Sequence, residues 1–453
     1  MSSSHLPSSS CGLSRGEIRT LALASLGGAL EFYDFVIFAF FAKLIGQHFF
    51  AVQQPDWLRQ TEAFGLFGAG YLIRPLGGLV MAHFGDKTGR KRMFTLSVLL
   101  MALPTLAMGF LPGFDTLGIA APLILLLLRM MQGAAIGGEA PGGWVFVAEH
   151  AGRAREGLAC GLLTGGLQTG ILLGSVVALA LNGFLSPAQV SSWGWRAAFV
   201  LGGIFGLLAM VLRRWLKETP VFAALEARAE VEKQMPLVTV LRAHRRAVVL
   251  SVIATWALTV AIVVLNLMMP SLMQTLHGMS ANATLQASLA ETMTAVVSVV
   301  LFGVGVDRWG MRAMAPLATI LLMAGAVGLY GLAPAHQGWL LPMAALGGIG
   351  CGFTGLVPIA MVRAFPAPVR FSGLSFSYNV AYAVFGGLTP MAVSALMAHT
   401  ALAPVVYILV ATLCGGIALW HMPDCEARAS RGAEAPAVEA AMPRRGPSLD
   451  GIA

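Results

Sequence analysis

The sequence predicts an all-α polytopic membrane protein, twelve transmembrane helices in two pseudo-symmetric six-helix bundles. Three observations carry that prediction. Charged residues make up only 11% of the 453 residues and hydrophobic residues 57%, with a mean hydropathy of +0.77. A water-soluble domain carries about 25% charged residues, so most of this surface must face something other than water. Twelve apolar stretches are long enough, at roughly 20 residues each, to cross a ~30 Å hydrocarbon core as helices. Finally, the polar order that follows the second stretch recurs after the eighth.

The first six spans are expected at 18–46, 61–84, 93–112, 117–148, 157–183 and 196–212. The second six are expected at 247–272, 284–306, 313–333, 338–362, 371–398 and 403–421. This divides the chain into a polar, disordered N-terminus (1–15), an N-terminal bundle (16–212), a linker (213–246), a C-terminal bundle (247–421) and a disordered tail (422–453). The opening "MSSSHLPSSSCGLSRGE" lacks the basic-then-apolar order of a cleavable signal, so the first apolar stretch should be retained as a helix. The linker is charge-rich at helical spacing, which predicts a helix lying along the cytoplasmic membrane face.

Orientation follows from the basic residues. The even-numbered connections hold Lys87, Arg90, Lys91 and Arg92, then Arg153 and Arg155, then the run from Arg213 to Arg246, then Arg308 and Arg312, then Arg363 and Arg370. The odd-numbered connections hold little beyond Arg59, with Lys43 and Arg196 at span edges. Both termini should therefore be cytoplasmic. The net charge of +8 is a topology signal, and nucleic acid is not an expected partner. The five cysteines are scattered without metal-ligand spacing, so neither a metal nor a disulfide framework is expected.

The repeated order reads "GDKTGRKR" from Gly85 to Arg92 and "GVGVDRWGMR" from Gly303 to Arg312. Each copy offers an acid (Asp86, Asp307), a glycine able to make a tight turn (Gly89, Gly310) and a basic residue (Arg90, Arg312). Either loop alone could be an ordinary positive-inside connection. Two copies close to half a chain apart favour gating loops whose acids meet neighbouring helix ends and hold one face closed. Parallel duplication of six-helix units also places a substrate site between the halves, near the midplane.

The pattern G-x-x-x-D-[RK]-x-G-x-[RK] resembles the loop signature of the major facilitator superfamily, complete in the second copy and with Ala82 in place of the first glycine of the first. "LEFYDF", "RMMQGAAIGGE", "WGWRAAFVLGG", "RRWLKETPVF" and "RFSGLSFSYNVAYAVFGGLTP" resemble the metabolite:proton symporter branch and are spread over most of the membrane portion. One departure is "APGG", Ala140 to Gly143, where many relatives read Tyr-Gly; Pro141 is expected to kink the fourth span. The resemblance implies the major facilitator fold and alternating access driven by a proton gradient with no cofactor. It also implies a bacterial inner membrane and function as a monomer.

Ionisable residues inside the spans mark the candidate site. With the first span entering near Arg19, Glu31 lies ~18 Å deep and Asp34 ~22 Å deep, one helical face apart by three residues. A central carboxylate costs roughly 3 kcal/mol on insertion scales, so it lines a cavity or finds a partner. Glu31, Asp34 and Glu139 are the proton-coupling candidates; the plainer alternative is that Glu31 or Asp34 pairs with Arg74 as a brace. Arg74 and Arg129 suit a substrate carboxylate because a guanidinium holds it by two parallel bonds. Gln132 shares a face with Arg129, and "R…QG" resembles the fourth-helix motif associated with proton-coupled members. Gln168 and the set Tyr378, Asn379 and Tyr382 are candidate substrate hydrogen-bonders, with bonding between helices as their alternative. Gly166, Gly170 and Gly174 read as a helix-packing ridge. "GCGFTG" (Gly350 to Gly355) matches a dinucleotide fingerprint but lies inside an apolar span with no strand before it, so packing is expected there too. Glu291 reads as an intramembrane acid or equally as one near the outer surface, with no assigned role, and Asn266, His277 and His336 are expected to be wetted at outer span ends.

These readings converge on uptake of a small organic anion, a mono-, di- or tricarboxylate, together with a proton. A zwitterionic osmolyte such as proline or betaine is the nearest alternative, because its ammonium could use Glu31 and Asp34. Efflux is less favoured: "GGLQTGILLGS" in the fifth span lacks the Gly-Pro motif of export antiporters. An enzyme is not expected, with no H-E-x-x-H and no exposed G-x-S-x-G turn. A nutrient sensor would need a larger soluble output domain than the tail offers. The expected partners are an organic acid or osmolyte, the proton and the lipid bilayer.

Overall fold

A computed structural model describes residues 15–51, 56–88, 90–213, 215, 236–397, 399–400 and 402–425. In hydrocarbon every backbone N–H and C=O must be satisfied within the chain. The described elements are accordingly helical. The first six long helices are α1 (Arg15–Phe40), α2 (Asp56–Thr88), α3 (Arg90–Phe110), α4 (Ala120–Ala151), α5 (Glu156–Phe184) and α6 (Trp195–Arg213). The second six are α7 (Arg245–Val260, continued by a π-helical Ala261–Leu267), α8 (Ala281–Trp309) and α9 (Met311–Val327), then α10 (Leu340–Gly350 and Gly352–Ala364), α11 (Arg370–Ala381, through a π-helical Tyr382–Gly386 into Gly387–Met397) and α12 (Ala403–His421). Among the described residues ten spans are long and apolar enough to cross a membrane, and α2 and α3 complete the twelve. A short helix, Pro236–Ala243, precedes α7, while the charge-rich middle of the linker and the tail beyond Cys425 lie outside the described residues.

Two expectations about glycine are met and one is extended. Gly310 is the single residue between α8 and α9, at φ +81, the left-handed conformation that a side chain resists. A methyl group on Gly166 or Gly170 would strike the backbone of α1 at Ser25 or Ala29, so that ridge packs α5 on α1. The same helix has a second glycine face: Gly157, Gly161 and Gly165 abut Gly303, Val299 and Val300 of α8. α5 is thus clamped between the two sets of six. Gly348 and Gly352 of the "GCGFTG" region likewise pack α10 on Glu291, Thr294, Ser298 and Phe302 of α8.

Pro141 lies inside α4, which is helical without interruption from Ala120 to Ala151. Proline has no N–H to donate to the carbonyl four residues back, that of Gly137. That carbonyl instead accepts from Asn379 Nδ2 at 2.6 Å and Ser375 Oγ at 3.3 Å, both on α11. The bond lost within α4 is replaced by bonds from another helix. Close approach makes this possible: added methyls at Gly77, Gly133 and Gly137 would strike Ala134, Gly70 and Arg74 backbone, so α2 and α4 touch almost main chain to main chain.

Candidate functional site

The first polar cluster lies within the first six helices. Arg129 on α4 donates from Nη1 to Gln132 Oε1 at 2.8 Å, and Gln132 Nε2 donates to Thr105 Oγ1 on α3 at 2.5 Å. All three are buried, and the Arg129 guanidinium lies over the Phe38 ring at 4.1 Å from its centroid. Asp34 on α1 is wholly buried beside Thr105, against Gly202 and Gly206 of α6, which leave the space its carboxylate fills. The Thr105 hydroxyl is already committed, donating to Met101 O at 2.9 Å while accepting from Gln132. Neither Asp34 oxygen has a hydrogen-bond partner among the described residues. The pairing of Asp34 with Arg74 anticipated as an alternative is absent there: Asp34 faces α3 and α6, while Arg74 lies on α2 among tyrosines.

The second cluster joins the two sets of helices. Arg74 is buried, its guanidinium 5.4 Å from the Tyr71 ring centroid, 5.7 Å from Tyr378 and 4.5 Å from Tyr382. Tyr71 stacks on Tyr382 with centroids 6.2 Å apart, and Tyr378 lies 4.6 Å from Tyr382 and 5.1 Å from Trp144. A cation over ring faces gains electrostatic attraction, most when dry, so tyrosines of α2 and α11 hold this arginine in place. Its Nε and Nη2 have no hydrogen-bond partner among the described residues. Buried Glu139 stands within electrostatic reach of Tyr378.

The third cluster closes the end that carries the basic loops. Asp307, at the end of α8, accepts the backbone N–H of Gly157 and of Leu158, each at 2.8 Å. These are among the free N–H groups at the N-terminus of α5, where negative charge is also favoured by the helix dipole. Arg363 of α10 pairs with Glu156 of α5, and Arg370 of α11 with Glu149 of α4 at 3.4 Å. Arg153 pairs with Asp424 beyond α12. Contact between the two sets of six runs along α5–α8 and α2–α11, with no comparable packing of α1 on α7 among the described residues.

The sequence matches the Major Facilitator Superfamily over residues 24–390. The chain belongs to the Major Facilitator Superfamily. It is 30% identical over 401 residues to the citrate-proton symporter of Klebsiella pneumoniae, covering 87% of this chain and 89% of that one. It is 29% identical over 440 residues to the proline/betaine transporter of Escherichia coli K12, covering 92% and 86%. A solved structure of a proton:xylose symporter superposes with a TM-score of 0.75 at 16% identity, covering 90% of this chain and 96% of that one, a likeness of fold.

Within this superfamily fold the anticipated residues fall into distinct groups. Arg74, Tyr378 and Tyr382 meet in one cage, and Arg129 and Gln132 share one hydrogen-bonded chain. Asn379, anticipated to face substrate, spends its amide N–H groups on Gly137 O and on Ser375 O at 2.8 Å, bracing α11 against α4. Gln168 is buried with its Oε1 unpartnered among the described residues. Gly310 forms its turn and Asp307 meets a helix end, whereas Arg312 is exposed and takes no part in the clasp. The side chains of Glu31, Asp86 and Arg90, and residue Gly89, lie outside the described set. Asn266 corrects the expectation of a wetted residue: it is buried and donates from Nδ2 to Thr292 Oγ1 at 3.0 Å. Glu291 is buried rather than superficial, against Cys351 at 3.9 Å.

Sequence reading missed Tyr71, Thr105, Ser375, Glu149 and Glu156. The last two were visible as acids flanking a basic loop, "EHAGRAREG", where positive-inside logic looks only at arginine. Thr105 was marked by polarity beside Pro104 in an apolar run. Nothing local distinguished Tyr71 from an interfacial aromatic.

Proposed function

We propose that this protein carries a small carboxylate into the cell together with a proton, alternating access between its two sets of helices in the inner membrane. Both termini and the basic end face the cytoplasm in this reading, as the arginine distribution requires. The observation that carries it is Arg74: a buried guanidinium fixed by three tyrosines from both sets, with two nitrogens left for a ligand. A carboxylate is the group whose two oxygens match such a fork. Citrate, named for one relative, and proline or betaine, named for another, all bear one. An anion is favoured over a zwitterion because Arg74 already occupies the ring faces that would otherwise attract a ligand ammonium.

Asp34 is the leading proton carrier, with Glu139 beside the cage as the second. A buried charge without a partner costs several kcal/mol, and taking up a proton removes that charge. Protons accompanying an anion also offset its charge, and once their number equals that charge the inward-negative potential no longer opposes uptake.

The test is accumulation of labelled citrate, dicarboxylates and betaine in proteoliposomes under an imposed proton gradient. Gradient-driven accumulation of a carboxylate anion, lost on collapsing the gradient, is expected. Betaine accumulation without any carboxylate anion would replace the anion reading with the zwitterion one, and flux indifferent to the gradient would remove proton coupling.

A further inference from the structure

At the basic end of the second set of helices lies a cavity of about 620 Å³, separate from the tyrosine cage and bordering the clasp at Arg363 and Asp424. Its wall carries Arg246, Arg312, Arg363 and His421, with the indoles of Trp309 and Trp420. Arg363 is engaged by Glu156, and Asp424, the carboxylate in the wall, is engaged by Arg153. Arg246 and Arg312 are exposed and have no acidic partner among the described residues. The cavity also includes Gly310 and Met311, where the 17-residue helix α9 begins with no side-chain cap. Two unpaired guanidinium groups and an uncapped helix N-terminus all favour an anion at this spot.

The outer rim decides what kind of anion. Trp309 is 67% and Trp420 48% exposed, and both continue apolar faces left uncovered by the described residues. On α12 the exposed Leu413, Ile417 and Trp420 follow one another at four and three residues, a single stripe along the helix. Leu317 and Ile320 do the same on α9. In a membrane protein such faces meet acyl chains, and tryptophan marks headgroup level. A basic cavity rimmed by two such tryptophans lies at the level of lipid phosphates.

We propose that this cavity binds the phosphodiester headgroup of an anionic phospholipid, with Arg246 and Arg312 as its ligands and Trp309 and Trp420 flanking the acyl chains. Basic pockets between transmembrane helices at the cytoplasmic side are suited to such headgroups. The proposal rests on the inner-membrane reading for its leaflet, but not on which solute is carried.

The full-length protein is purified in nanodiscs containing equal phosphatidylglycerol and phosphatidylcholine, and retained lipids are counted by native mass spectrometry. Preferential retention of phosphatidylglycerol is expected, falling roughly thirtyfold, the worth of two basic residues at a membrane surface, in R246Q/R312Q. R246K/R312K should keep most of it. R242Q/R245Q removes the same net charge from exposed residues outside the cavity wall and should leave retention unchanged. Arg363 is left intact because it also clasps Glu156. Equal loss in both glutamine pairs would mean diffuse surface attraction and overturn the site. Displacement of the lipid by millimolar inorganic phosphate, with tight phosphate binding in lipid-free detergent, would make it a free-anion site and overturn the lipid assignment. Because retention is read without transport, its failure beside normal carboxylate uptake would sink this proposal alone.

Discussion

Asn379 on α11 donates to the carbonyl of Gly137 on α4 at 2.6 Å, the acceptor that Pro141 leaves without an intrahelical N–H. Without Asn379 that carbonyl keeps, among the described residues, only the longer contact from Ser375 Oγ at 3.3 Å, a hydroxyl shared with Gly78 O. An unsatisfied buried carbonyl costs about 1–3 kcal/mol, so leaving this one under-satisfied in Asn379→Ala should lower thermal stability measurably, towards the low end of that range. Pro141→Ala restores an N–H that can reach Gly137 O. In that background the cost of Asn379→Ala should shrink by at least half, a coupling within the usual range for groups sharing a partner. Melting temperatures of the four proteins in detergent test this; additive losses would show that the two residues do not share that acceptor.

Asp307 provides the second test, because it receives two N–H bonds at the start of α5. Bonds to a charged group contribute roughly 1.5–3 kcal/mol each. Asp307→Asn removes the charge and places an NH₂ where an acceptor is needed, so the basic end should open more often, by about tenfold or more. Cys160 is a built-in reporter, fully buried one turn further along α5. With the other cysteines replaced, its maleimide labelling should accelerate in Asp307→Asn. An unchanged rate would mean that Asp307 does not hold this end closed.

Glu156 and Arg363 offer a sharper form of the same argument. Their side chains are 8% and 14% exposed, so removing one leaves the other nearly buried and unpaired. That loss is typically 3–5 kcal/mol for a buried pair. Glu156→Gln and Arg363→Gln should each impair transport severely. The exchange Glu156→Arg with Arg363→Glu should recover a substantial part of it. Failure of the exchange together with mild single variants would reduce the pair to a surface contact.

The spans were legible in the sequence because hydropathy over a fixed length is a strong constraint, and each expected stretch falls on a helix. The turn at Gly310 was legible because only one residue type takes that φ easily. Partners across the halves were not, since nothing in local spacing links Glu149 to Arg370 or Glu156 to Arg363. Asn379 could be assigned to bonding between helices only once the missing N–H of Pro141 was matched to the carbonyl it leaves open. Asp34 and Arg74 look like partners when both are simply mid-membrane charges. Which face each takes is set by glycines on α6 and tyrosines on α11, far away in sequence.

Arg74 tests the carboxylate reading directly. Arg74→Ala should reduce gradient-driven uptake at least a hundredfold, roughly the worth of a desolvated, bidentate charge contact. Arg74→Lys should fail to rescue it, because a point charge neither spans two oxygens nor stacks among Tyr71, Tyr378 and Tyr382 as a plane does. Tyr382→Phe keeps the ring face and should be mild. Full activity in Arg74→Lys would leave only charge, and not the fork, as the requirement.

Asp34 separates proton coupling from substrate movement. Its carboxylate lies away from the tyrosine cage, against Gly202 and Gly206. Asp34→Asn should therefore preserve exchange of labelled for unlabelled substrate across the membrane while abolishing accumulation driven by a proton gradient. The exchange rate should also become less sensitive to pH, since a titrating group has been replaced by a permanently neutral one of the same shape. Gly202→Ala sets a methyl where the carboxylate oxygen now rests, so it should disturb coupling without touching the cage. Should Asp34→Asn still concentrate substrate against a gradient, the proton must ride elsewhere, and Glu139 beside Tyr378 becomes the next residue to replace.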